Sequence, residues 1–210
     1  MARRQVKREH ILHAATELFS AKRYEEVSID DIAAAAGVAH GLLFHYFDNK
    51  RGLWSAVLRS FTDELIQIDA GLTMPASLGD RVRTFLDQHL IEMSNRPGIY
   101  RTIMRGAREV DLDDIAFLEH ELHPLALRRI ATLLGVESPT PAFTFVTRCW
   151  AAVVEEATLD WLDNPDLVSS DTLTEILVSY LAAALSSADL IDPQTGGSEL
   201  AAALRVNQTS

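Results

Sequence analysis

The residues with the chemistry to grip another molecule are spread unevenly along the chain. Four cations, Arg3, Arg4, Lys7 and Arg8, crowd the first eight residues. A nucleic-acid backbone attracts such a cluster, because each phosphate it neutralises releases a condensed counterion. Residues 1–60 carry a net charge of +2 and residues 61–210 a net of -13, within a total of -11. A duplex would repel the acidic part, so only the first segment is expected to face one. Solubility alone also explains the acidic excess.

The other candidates for chemistry point to no reaction. His120 and His123 are three apart, with Glu119 and Glu121 beside them, and His89 lies elsewhere. Zinc needs convergent ligands, so this pattern is read as no metal site. Arg101, Arg105 and Arg108 recur at helical spacing. They would suit an anionic ligand, but an exposed face pairing with the abundant carboxylates is the preferred reading. No His-Glu-x-x-His, P-loop or Gly-x-Ser-x-Gly occurs. The reading is of a protein with no catalytic residues and no cofactor. Cys149 is the single cysteine, placed between Arg148 and Trp150, and is read as a small buried hydrophobe. No stretch approaches 18 uninterrupted apolar residues, and the basic N-terminus leads into no apolar run of a secretory signal. A cytoplasmic protein without a membrane partner is expected.

Helices must position these side chains, because the apolar pattern is helical almost throughout. Ile11, Ala14, Ala15, Leu18 and Phe19 make one stripe. Ser28 is a candidate N-cap, and Asp31 can serve the first-turn amides, which predicts a short helix over 29–36. Gly37 breaks it. A second short helix is predicted over 39–46, then a turn at 47–49 with Asp48 or Asn49 as the next cap. A longer helix starts near Lys50, with Leu53, Trp54, Val57, Leu58, Phe61 and Leu65 on one face. After a break at 71–75 come amphipathic stretches over 76–94, 97–106, 112–134, 141–162 and 171–186. Pro97, Pro139, Pro141 and Pro165 mark boundaries, and His123-Pro124 predicts a kink or a helix start. Residues 191–210 are expected to be a mobile tail, with a turn of helix at most over 200–204.

Ser28 to Tyr46 reads SIDDIAAAAGVAHGLLFHY. Two short helices joined by a tight glycine turn form a helix-turn-helix. Ala33 and Ala36 let the helices approach closely, Gly37 supplies a turn that a Cβ resists, and Val38 can plug the space between them. The second helix starts with few long side chains, so its N-terminus can enter a major groove. Any compact helical hairpin also uses Ala, Gly and Val in this way, and the pattern alone leaves that alternative open.

The segment IDDIAAAAGVAHGLLFHYFDNKRGL resembles the signature of the TetR family of transcriptional regulators. Ile32-Ala33, Ala36-Gly37-Val38, Gly41, Phe44, Tyr46-Phe47, Lys50 and Leu53 fall in register. The stripe from Ile11 to Phe19 also matches, although Ala21-Lys22-Arg23-Tyr24 lacks the usual turn glycine. The resemblance is sharp over 7–65 and diffuse over 66–186. There, WAAVVEEATLDWL followed by a Leu-rich helix looks like the family's dimerising end. Phe44 replaces the commoner Tyr, and Leu42 stands where a small polar residue is frequent.

The resemblance implies an all-α fold, with a three-helix helix-turn-helix head over 1–60 and a larger ligand-binding and dimerisation domain over 61–190. It implies a homodimer that binds a double-stranded DNA operator and leaves it when a small, mainly apolar effector binds. Ala39, His40, Gly41 and Leu42 would start the recognition helix. Phe44, His45 and Tyr46 would lie against backbone or base edges, Lys50 would meet phosphate, and Ser28 opens the unit. Leu42 could touch a thymine methyl. Among the larger domain's residues, Phe85, His89, Ile103, Phe117, Phe143 and Trp150 are candidates to line a cavity between helices. The dimer seam is expected on 141–162 and 171–186, with Leu173, Ile176, Leu177, Tyr180, Leu181 and Ala184 contributing. The alternative is that these residues only close the monomer's core. Two rivals remain for the function: a helical dimeric interaction protein, or a ligand-independent regulator without a sensing pocket.

Overall fold

A computed structural model describes residues 2–71, 73–109 and 123–205. All regular structure among them is helical, as the periodicity predicts. These residues fall into two compact units. One is drawn from Met1–Gly71 and Arg96–Phe117, the other from Leu72–Asn95 and Leu118–Ser210.

The first unit opens with α1 (Ala2–Ala21), whose Ile11, Ala15 and Phe19, four apart, are fully buried. α2 (Ile29–Ala36) and α3 (His40–Phe47) form the helix-turn-helix, and α4 (Lys50–Gly71) follows. Asn49 caps α4, accepting the Gly52 N–H at 2.8 Å. Gly52 is dictated by packing, since a Cβ there would lie 2.0 Å from the Phe47 carbonyl oxygen. The missing turn glycine after α1 is bypassed. Tyr24–Glu26 forms a short 3-10 turn, held by the Arg23 N–H donating to the Glu26 carboxylate at 3.1 Å. Tyr24 then closes an aromatic cluster in which the Phe19 and Trp54 rings meet edge to face at 4.8 Å.

α6 (Pro97–Glu109) also belongs to this unit. Its Thr102 hydroxyl donates to the Phe19 carbonyl at 2.8 Å. That carbonyl lies in the last turn of α1, where intrahelical donors run out. Gly98 seats the contact, because a Cβ there would meet the Ser20 carbonyl oxygen at 2.1 Å. The boundary expected at residue 60 thus falls inside α4, and α6 packs on α1 instead of in the larger domain.

The second unit contains α5 (Leu78–Asn95), α7 (His123–Leu134), α8 (Pro141–Asp163), α9 (Ser170–Ile191) and α10 (Gly197–Arg205). Its core joins Val82, Leu86 and Leu90 of α5 to Ile130 and Leu134 of α7. Phe143, Trp150 and Val154 of α8 and Leu177, Leu181 and Leu185 of α9 complete it. By length and hydropathy α9 resembles a membrane span, but one of its faces is this packed stripe.

Three expectations are corrected in this unit. The tail is ordered through Arg205. The Asp189 carboxylate accepts the Gly197 and Ser198 N–H groups at 2.7 and 2.8 Å, and Ala201 and Leu204 of α10 are buried. The six residues expected in the dimer seam divide between two faces. Leu173, Leu177 and Leu181 close the monomer's own core and Ala184 is half-buried, whereas Ile176 and Tyr180 are exposed. Cys149 is exposed rather than buried. It lies on the outward face of α8 with Phe145 and Val153, four residues away on either side.

Candidate functional site

The turn between α2 and α3 is built by local chemistry. The Ser28 hydroxyl accepts the Asp31 N–H at 3.1 Å, and the Asp31 carboxylate accepts the Ser28 N–H at 3.0 Å. This reciprocal cap fixes the start of α2. It also holds the Asp31 carboxyl below its ordinary range, mainly through the hydrogen bonds from Ser28. Gly37 ends the helix in the left-handed region at φ 63°, where a Cβ would be strained. The Val38 N–H then returns to the Ala33 carbonyl at 3.0 Å. Three residues therefore suffice to redirect the chain into α3.

α3 has one inward and one outward face. Leu43 and Phe47 are buried, while Ala39, His40, Gly41, Phe44 and His45 are exposed and Leu42 and Tyr46 are half-buried. Ala39 is the N-cap and offers no side-chain bond. A Cβ added at Gly41 would meet nothing within 4 Å. The glycine is not required by the fold, unlike Gly52, and it leaves the start of α3 open to close approach. The His40 imidazole bonds the Asp30 carboxylate and stacks on the Phe44 ring, 5.1 Å away.

Lys50 lies at the start of α4 with its ammonium 4.1 Å from the centroid of the Tyr24 ring. Partial burial pulls its pKa down, opposed by the charge of Glu25. Arg8, in the N-terminal half of α1, reaches over the Phe47 ring of α3 at 5.2 Å. Sequence reasoning missed Asp30 and Gly52. Asp30 lies ten residues from His40, so no periodicity links them, and only the crossing of α2 and α3 brings them together.

The interior candidates do not gather at one point. Phe85 and His89 lie on α5 and Phe143 and Trp150 on α8, whereas Ile103 is in the core of the first unit. Phe117 lies outside the described residues, as does His120. Trp150 donates its indole N–H to the Leu177 carbonyl at 2.9 Å, so it serves the core. Phe85 packs against the same core under the Arg129 guanidinium, 5.2 Å from its ring. His89 is half-buried as a residue, but surrounding protein takes its ring out of water. Burial first, and the charge of Arg129 second, push its pKa down to about 4. Its Nε2 is 3.4 Å from the Thr158 hydroxyl. A half-open cleft of about 290 Å³ lies between α7 and the start of α8, lined by Leu127, Ala131, Val136, Phe143 and Thr147. Among the described candidates, Phe143 alone lines it. Among the described residues no group of three or more His, Cys, Asp or Glu could hold a metal.

Known proteins share this arrangement. The family model for bacterial regulatory proteins of the tetR family matches residues 11–57, which run from α1 into α4. The chain is 34% identical over 83 residues to the HTH-type transcriptional repressor KstR2 of Rhodococcus jostii, covering 37% of this chain and 41% of that protein. It is 40% identical over 68 residues to the transposon Tn10 TetC protein of Escherichia coli, covering 32% of this chain and 33% of that one. These matches therefore span about two fifths or less of either relative. A longer match, 24% identical over 191 residues, covers 86% of this chain and 77% of the regulator AlkX of Mycobacterium tuberculosis. A tetR-family regulator of Streptomyces coelicolor superimposes with a TM-score of 0.77 at 26% identity, covering 95% of this chain and 88% of that one. The head is thus matched in sequence by the TetR family of bacterial regulatory proteins, and the whole chain is similar in fold to a regulator of that family.

Proposed function

We propose that this chain is a homodimeric regulator that docks the outward face of α3 in the major groove of an operator, and that a small apolar effector releases it. The observation that carries the reading is the capped α2–Gly37–α3 unit, which turns His40, Gly41, Phe44 and His45 outward over buried Leu43 and Phe47. The N-terminus of such a helix offers amides to phosphate and short side chains to base edges. Ser28 acts through its cap, Ala39 and Leu42 flank the entry point, and Tyr46 and Lys50 lie toward the backbone. Dimerisation is supported by the outward apolar residues of α8 and α9, Phe145, Val153, Ile176 and Tyr180, which a four-helix interface would cover.

Release by an effector is supported by the second unit, which sets the polar groups of His89, Thr158 and Arg129 beside an apolar core. FadR of Bacillus subtilis, solved with stearoyl-CoA, shares the fold at a TM-score of 0.67 and 16% identity, which favours an acyl-bearing compound among hydrophobic effectors. A ligand preferring the form unable to span two half-sites lowers operator affinity by linkage. The test has two stages. A gel shift of the full chain on its own upstream duplex across a salt series should show binding that weakens steeply with salt. Acyl compounds that raise the melting temperature should then release that duplex. Binding that is absent at low salt, or stabilising compounds that never move DNA affinity, would defeat the corresponding half of the proposal.

A further inference from the structure

The corner where α2 meets α3 holds a contact that the family resemblance does not assign. The Asp30 carboxylate, in the first turn of α2, bonds Nδ1 of His40, the first residue of α3. Phe44, one turn later, stacks on the same imidazole with 30° between the planes. His40 is gripped on two sides, yet 49% of its side chain stays accessible. The open space beside Gly41 lets a partner reach it from outside.

We propose that Asp30 is a positioning residue for base recognition, holding His40 so that Nε2 faces one base edge in each half-site. The inference rests on the DNA-binding reading above. A carboxylate on Nδ1 keeps the proton on that nitrogen and leaves Nε2 as the atom presented. A neutral ring held in this tautomer accepts from the exocyclic amine of adenine or cytosine. Without Asp30 the tautomers and ring flips exchange, and the same position presents a donor in some molecules and an acceptor in others. The stacked Phe44 ring limits rotation about the other axis. An acidic side chain facing a polyanion is otherwise unfavourable. A role confined to the helix dipole at the start of α2 would stabilise the fold and leave base preference untouched.

The experiment selects bound sequences from a randomised duplex library with the full-length wild type, Asp30→Ala, Asp30→Glu, His40→Ala and the Asp30→Ala/His40→Ala double variant. His40→Ala should lose the preference at one base pair of each half-site. Asp30→Ala should weaken the preference at that same base pair about tenfold, within the range of one good base contact. Other positions should stay unchanged. The double variant should match His40→Ala, and Asp30→Glu should restore most of the preference. If Asp30→Ala keeps the wild-type preference, changes a different base pair, or weakens all sequences uniformly with a lowered melting temperature, the positioning role is overturned. A wild type that enriches no sequence overturns the DNA-binding reading and this inference together, which separates the two failures.

Discussion

Replacing His89 by glutamine should change how the protein responds to acid more than how stable it is at neutral pH. The imidazole is held down to about 4 from an ordinary 6.5, chiefly by burial and secondarily by Arg129. Between those values the unfolded chain binds a proton that the folded chain refuses. Falling pH therefore favours unfolding. The contribution is complete above the ordinary value and is lost as pH falls towards 4. The full difference is about 3 kcal/mol, of which about 2.5 kcal/mol disappears between pH 7 and pH 4.5. For a chain of this size that is about 5–10 °C of melting temperature. Glutamine does not titrate, and its amide can still reach the Thr158 hydroxyl.

Urea unfolding of both proteins at a series of pH values isolates this residue, because carboxylates that titrate in the same range are common to the two. The wild-type stability should fall away from the variant's as pH drops through 6. Proton NMR of the ring should place its midpoint near 4. Parallel stability curves, or a ring that titrates near its ordinary value, would refute the account and show that His89 is solvated.

The two glycines of the head should part company. Gly52→Ala should lower stability by about 1–3 kcal/mol, read by urea unfolding, because its Cβ runs into the Phe47 carbonyl. Gly41→Val should unfold at the wild-type urea midpoint or above, yet lose operator affinity about tenfold or more, the loss that one misplaced contact of about 1.4 kcal/mol brings. A normal footprint by that variant would remove α3 from the interface. Ser28→Ala should cost about 1 kcal/mol through its cap, again by denaturation. Tyr180→Asp should sediment as a monomer that stays folded, whereas Leu177→Ala should cost about 2–5 kcal/mol of stability.

What the sequence made legible is the part set by local rules. A Ser-x-x-Asp spacing, a glycine and an apolar stripe each act within one turn of helix, so α1 to α4 and the helix-turn-helix can be read directly. The residues expected in the seam on α9 divide between two faces for a geometric reason. Leu173, Ile176, Leu177, Tyr180 and Leu181 all share a three-four spacing, but they span more arc than one interface covers, and periodicity does not say which edge the monomer keeps. The ordered C-terminus depends on Asp189, which bonds amides eight and nine residues later. The α6 contact depends on Gly98 meeting Ser20. Both are long-range approaches without a composition signal, since a glycine that seats a neighbouring backbone looks like any other glycine until the neighbour is known.

The strongest sequence arguments against DNA binding were the acidic total and the phenylalanine at position 44, and local geometry weakens both. Repulsion of a polyanion depends on the charges that face it within about a Debye length, not on a sum over 210 residues. In the head, several carboxylates are already committed. Asp31 is held by the Ser28 N–H and hydroxyl, Glu26 by the Arg23 backbone and guanidinium, and Asp30 by His40. The outward face of α3 carries two histidines, a glycine and an aromatic ring, with no carboxylate from His40 through Phe47. Phe44 lacks a hydroxyl for phosphate, but its ring lies against His40, and its exposure of 43% keeps it at the surface where a groove would be met. Gly41 is a residue that the fold does not need and whose conformational freedom weakens α3. On the proposed DNA-binding reading, that cost leaves room for a partner to come close at that residue.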